Sequence, residues 1–307
     1  MPGTPSIITE IEQLPESVMI FGCGYVGTAL AKKLLSEGVR VGALTRNSKK
    51  ALDLEQLGLS EVLVANLEEF TWHKKLSGSY AAVVNCVSSG GGGLKGYQKS
   101  YIEGQQSILK WTEKNTIQSY IYTSSTSVYP HDGGVEVDEA ADTSTASATG
   151  QLLRESEQIL ASVSDRFDAW YVLRLAGIYG PDRHYLLDWL RLGETVIPGT
   201  GDYFLNLIHR DDIVSAICRV LGNASLENSG IYNLVDNSPT TKTEVVNWLA
   251  EKLGMQKPQF DPSQISSRLQ RRGGRMPSRR ISNRKFCKAF DWSPEYLNFR
   301  AGYNKLL

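Results

Sequence analysis

Three glycines, Gly22, Gly24 and Gly27, lie between the apolar run Val18 to Phe21 and a segment with Ala29, Leu30, Leu34 and Leu35 at helical spacing. A strand, then Gly-x-Gly-x-x-Gly, then a helix restricts the chain to few folds. The first glycine permits the tight turn. The second lets a pyrophosphate approach the backbone, and the third lets helix and strand pack closely. The helix start, with Tyr25 and Val26 between the glycines, presents unpaired amides and the positive end of the helix dipole to an anion. Gly38 ends this helix, and Val39 to Leu44 reads as the next strand. The result is a βαβ unit with a right-handed crossover.

The alternation continues. Glu61 to Ala65, Ala81 to Val87, Ser119 to Thr123 and Ala169 to Leu175 read as strands, and Tyr97 to Lys114 and Gln151 to Val163 as helices. Gly90 to Gly93 reads as a mobile loop. The pattern predicts an α/β fold: a doubly wound parallel Rossmann sheet with a smaller C-terminal substrate-binding region. Residues 1–16 form an N-terminal extension, 17–180 the dinucleotide-binding domain and 181–307 mostly a cap, with about 204–235 returning to the core. Within that half, Asp188 to Leu192, Asp211 to Leu221 and Thr243 to Leu253 look helical, and Ser263 to Arg280 is basic and Ser-rich.

The composition fits an ordinary globular protein. It has 307 residues, 41% hydrophobic and 21% charged, and zero net charge, so no broad basic field draws it to nucleic acid or an anionic membrane. No apolar run approaches a membrane span, and Glu10, Glu12 and Glu16 oppose a secretory or transit signal, so the expected location is cytoplasmic. Four dispersed cysteines and four dispersed histidines give neither a disulfide framework nor a metal site a starting point.

The end of the second strand bears on the cofactor. An NAD site usually places Asp or Glu there, on the ribose hydroxyls. This chain reads Leu44-Thr45-Arg46-Asn47-Ser48-Lys49, with no acid. A guanidinium pairs well with a 2′-phosphate, so Arg46 favours NADP, with NAD as the alternative and a solvated arginine as the plainer reading. Asn66 and Leu67 follow the third strand and are placed to flank an adenine. Cys86, Val87 and Ser88 follow the fourth, under the ribose and phosphates.

These residues, taken with several further motifs in order, resemble the extended short-chain dehydrogenases/reductases, the NAD-dependent epimerase/dehydratase family. Thr123-Ser124-Ser125-Thr126-Ser127-Val128-Tyr129 is similar to that family's Ser-Ser-x-x-Val-Tyr active-site strand. Leu173 to Pro181 is similar to its Leu-Arg-x-x-x-Val-Tyr-Gly-Pro segment, Ile208 to Ile213 to its Ile-His-Val-Asp-Asp-Val, and Tyr232-Asn233-Leu234 to its Tyr-Asn-Val. The resemblance implies a Rossmann core with a substrate cap, a small-molecule substrate and a possible homodimer through two long helices.

It also implies a catalytic Tyr-x-x-x-Lys, and here the chain departs. Glu157 matches an acid the family often carries, which puts Thr149 at the tyrosine and Leu153 at the lysine. An aliphatic hydroxyl does not ionise usefully near neutral pH, and leucine carries no charge. This matches an atypical subgroup that keeps the cofactor fold and loses the usual pair. Ser125 still matches the active-site Ser/Thr, either bonding a substrate carbonyl or bonding backbone at the strand end. Among alternative proton donors, Tyr129 is nearest in sequence, with structural packing as its other role. Tyr97 and Tyr101 either face the cofactor or pack in the core. His131, His209 and Arg174 have surface or structural readings. The basic run Arg271, Arg272, Arg275, Arg279 and Arg280 binds an anion or is a solvated loop. Two functions stay open: an NADP-dependent oxidoreductase or epimerase-like enzyme with a non-standard site, and a non-catalytic NADP(H)-binding sensor or scaffold.

Overall fold

A computed structural model describes residues 13–265, 270 and 276–307. The Arg271–Arg275 run lies outside the described residues. Strands β1 (Ser17–Phe21), β2 (Arg40–Thr45), β3 (Glu61–Val64), β4 (Ala82–Asn85), β5 (Ser119–Ser125), β7 (Ala169–Leu175) and β12 (Gly230–Leu234) form one sheet. Its order is β12-β7-β5-β4-β1-β2-β3, and every neighbouring pair is parallel. The order reverses between β1 and β4, the place where open α/β sheets bind ligands.

All five residues of β1 are buried, because helices cover both faces of the sheet. Val18 and Ile20 pack with Val26, Leu30, Ala31 and Leu34 of helix α1 (Tyr25–Ser36) and with Ile213 and Ile217 further along the chain. Met19 and Phe21 face the other way, into Trp72, Ile108, Trp111 and Leu160. Each such buried Leu or Ile contributes about 1.5–3 kcal/mol. α1 stops in a Schellman turn: Val39 N–H donates to Leu34 C=O and Gly38 N–H to Leu35 C=O, both at 3.0 Å.

Helix α2 (Ser48–Gln56) is not apparent in the sequence pattern, since it buries only Ala51 and Leu54. Asn47 starts it by accepting the Lys50 N–H at 3.0 Å. The expected helix at Tyr97 begins earlier, as α3 (Gly93–Tyr97), widens to π geometry over Gln98–Glu103 and returns to α4 (Gly104–Thr112). Helix α5 (Ala148–Ala161) also starts earlier than its apolar stripe, because Ser147 Oγ accepts the Gly150 N–H.

Four two-stranded sheets pair β6 (Val135–Val137) with β15 (Arg279–Ile281), β8 (Gly177–Tyr179) with β11 (Leu207–His209), β9 (Val196–Pro198) with β14 (Gln259–Asp261), and β10 (Phe204–Leu205) with β13 (Thr240–Thr241). A third apolar cluster joins Leu186, Leu187 and Leu190 of α6 (Tyr185–Arg191) to Val245, Val246 and Leu249 of α8 (Lys242–Lys252), with Phe299 and Tyr303. The helix α7 (Arg210–Gly222) instead packs back on α1.

Candidate dinucleotide and active site

A cleft of about 480 Å³ opens along the C-terminal ends of β1, β2, β4, β5 and β7, a size suited to a small organic ligand. Gly22 turns the chain at its floor with φ +87°, and a Cβ there would lie 2.7 Å from the Val87 amide nitrogen. Only glycine fits that turn. Gly24 has open space where a Cβ would stand, and no side chain caps the first turn of α1. Amides at that turn are thus left for a ligand's phosphates. Gly27 does not line the cleft. A Cβ there would meet Gly22 C=O at 2.6 Å, so it sets helix-to-turn packing.

Tyr25, Val26, Arg46, Leu67, Cys86, Val87 and Ser88 all line the cleft. Arg46 extends from the end of β2 across Gly90, and its guanidinium makes no hydrogen bond or ion pair among the described residues. The floor is held from below. Asn85 Nδ2 donates to Gln105 Oε1 at 2.6 Å, Tyr120 O–H donates to the same oxygen, and Asn85 Oδ1 accepts the Val87 N–H. This buried network fixes the backbone at Cys86 and Val87, and no sequence motif signals it. Burial pushes the Cys86 thiol up to about 12 and the Cys23 thiol higher still, so neither is a nucleophile at neutral pH. These features fit a dinucleotide: an amide-lined turn open at Gly24, an apolar wall and a free cation at the end of β2.

Asn66 is a correction. It is exposed, donates to Glu69 Oε1 at 2.7 Å and lies off the cleft, where Leu67 and Glu68 stand instead. Tyr129 is another. Its phenol donates to Asn233 Oδ1 and accepts from Arg174 Nη1, both at 2.8 Å, and the ring is buried away from the cleft wall. Arg174 in turn pairs with Glu157, which accepts the Ser124 hydroxyl at 2.6 Å. Tyr129, Arg174 and Glu157 therefore brace the end of β5. Thr149 also stays off the cleft, half-buried in the first turn of α5, with its hydroxyl 3.3 Å from Ser147 Oγ.

Ser125 does line the cleft, and its Oγ accepts the Ser127 N–H at 3.2 Å. Ser124, Thr123, Leu153, Tyr97 and Tyr101 complete that end. Tyr97 and Tyr101 pack ring to ring at 5.0 Å, and burial with the Tyr97 neighbour pushes the Tyr101 phenol up to about 12. His131 and His209 lie elsewhere. His209 is buried against Tyr296, and burial holds it neutral by lowering its pKa. Arg279 donates to Thr126 C=O and Arg280 to Gly134 C=O, so both are tied to backbone. Among the described residues no helix is long and apolar enough to cross a membrane.

The doubly wound sheet with its glycine turn and serine-ended β5 defines a dinucleotide-binding protein of the extended short-chain dehydrogenase/reductase type. Residues 18–234 match the family described as the NAD dependent epimerase/dehydratase family. The chain belongs to that family and is an NAD(P)-binding, epimerase-like protein. It is 27% identical over 254 residues to Protein YeeZ of Escherichia coli K12, covering 80% of this chain and 86% of that one. The Helicobacter pylori ADP-L-glycero-D-manno-heptose-6-epimerase shares its fold with a TM-score of 0.78 at 17% identity, covering 96% of each chain. The UDP-glucose 4-epimerase from Bifidobacterium longum, solved in complex with NAD+ and UDP, does so with a TM-score of 0.76 at 18% identity, covering 94% of this chain and 98% of that one.

Proposed function

We propose that the protein is an NADP(H)-dependent oxidoreductase or epimerase-like enzyme acting on a small polar substrate through a non-standard site. The observation that supports this is the set of hydroxyl-bearing residues, Ser125, Tyr97 and Tyr101, lining the same cleft as the glycine turn. A bound nicotinamide supplies or accepts the hydride. Ser125, at the end of β5, hydrogen-bonds a substrate oxygen. Tyr101 keeps its proton at neutral pH because burial raises its phenol; it donates that proton to the substrate oxygen when the nicotinamide supplies hydride and takes it back when the nicotinamide accepts hydride. Leu153 fills the position of the family lysine with an apolar, water-excluding side chain. Arg46, unpaired at the end of β2, supports NADP over NAD by pairing with a 2′-phosphate.

Single-turnover mixing tests the reading. NADPH-loaded protein is challenged with a panel of keto sugars, free and nucleotide-linked, and loss of reduced nicotinamide fluorescence is followed. Oxidation that disappears in Ser125→Ala supports the enzyme. A second reading is favoured by Thr149 standing off the cleft and by the uncharged Leu153: a sensor or scaffold that binds NADPH without turnover. NADPH binding with no oxidation by any panel member, and a ligand affinity that changes with NADPH, would select it.

A further inference from the structure

We infer that Arg183 is a second phosphate-binding arm, closing over the diphosphate bridge of the dinucleotide from the side opposite the α1 amides. The inference rests on the dinucleotide reading above and adds a residue that no motif of the chain points to. Tyr25, the residue after Gly24, carries two guanidinium groups on its ring. Arg183 Cζ lies 5.3 Å from the ring centroid and Arg210 Cζ 5.2 Å. Their situations differ. Arg210 is held by Asp211 at 2.9 Å and does not line the cleft. Arg183 lines it, as Gly24 does, and its guanidinium has no hydrogen bond or ion pair among the described residues.

The backbone holds Arg183 in place. Gly180 and Arg183 exchange N–H···O=C bonds at 3.1 and 3.2 Å, closing a four-residue turn. Asp182 inside it sits at φ +61°, an uncommon setting for a residue with a side chain. The Tyr25 phenol donates to Pro181 C=O at 2.8 Å, tying the turn to the start of α1. An exposed cation is thus stacked on the residue whose amide belongs to the phosphate-binding turn. Its charge is uncompensated, in contrast to the otherwise similar Arg210. A diphosphate supplies the missing charge, and a guanidinium bonds two of its oxygens at once.

Calorimetry on the full chain tests this with four probes: NADPH, NADH, ADP-ribose and adenosine 2′-monophosphate, the last lacking a diphosphate. Arg183→Ala is expected to weaken the first three by a common factor, roughly tenfold or more, and to leave the fourth unchanged. Arg183→Lys is expected to recover part of the loss, and far-UV circular dichroism of both variants to match the wild type. Wild-type affinity of Arg183→Ala for all three diphosphates would overturn the inference while leaving the dinucleotide reading intact. A loss for adenosine 2′-monophosphate as large as for the others would also overturn it. No binding of any probe by the wild type would overturn both.

Discussion

Arg174 holds Glu157 in a two-pronged pair, with Nη2–Oε2 at 2.6 Å and Nε–Oε1 at 3.0 Å, and both side chains are 5% exposed or less. Removing one partner strands a buried charge, which costs about 3–5 kcal/mol. Arg174→Met and Glu157→Gln should each lower the unfolding free energy from urea titration by that order, and the double variant should lose less than their sum. Additive losses in a double-mutant cycle would show that the pair is not coupled.

Gly22 and Gly24 should separate folding from binding. Gly22→Ala places a methyl against the Val87 backbone at a positive φ and should cost about 1–3 kcal/mol of stability. Gly24→Ala adds a methyl into open space, so its stability should change by less than about 1 kcal/mol, while dinucleotide affinity falls roughly tenfold or more. Thermal melts beside titrations check both. A Gly24→Ala protein that binds as the wild type does would place the phosphates elsewhere.

Arg46→Ala should weaken NADPH by roughly tenfold or more, the scale of a charge-assisted pair, and leave NADH nearly unchanged. Competitive titration of the two cofactors measures the ratio directly. Equal losses would remove the case for a 2′-phosphate partner.

Asp236 makes stability depend on pH. It is 2% exposed with Oδ2 unpartnered, and burial, aided by the Asp212 charge, raises its carboxyl to about 8 from an ordinary 3.8. The fold favours the protonated form, so this contribution is complete below about pH 4 and is lost as pH rises toward about 8. The slope is at most about 1.4 kcal/mol per pH unit. Asp236→Asn should remove that slope, so the wild type loses stability relative to the variant between about pH 5 and pH 8 in chemical denaturation. A constant gap across that range would refute it.

Much of the sheet is legible in the sequence, because strands buried on both faces are continuous apolar runs and the glycine turn marks where the first one ends. The short helix after Asn47 is hidden, since two buried residues make no periodic stripe. That Ser125 reaches the cleft is legible from the strand it terminates. Asn66 misleads because adjacency in sequence after β3 does not say which side chain turns inward, and Leu67 is the one that does. Tyr129 misleads for a related reason. Its hydroxyl is spoken for by Arg174 and Asn233, the latter far along the chain. Arg183 has no local signal, since its position depends on a turn closing onto Tyr25.

A methyl group built on Gly90 would come within 2.2 Å of Arg46 Nη2. The two positions, distant in sequence, thus meet at the tip of a flexible side chain. A side chain at 90 would displace the flexible tip of the basic arm at 46 and would itself be strained at φ +62°, so shortening that arm leaves residue 90 held to glycine by its own backbone. Residue 90 is therefore a place where evolution, or a protein engineer, can retune what Arg46 reaches without touching Arg46 itself, at the cost of that strain.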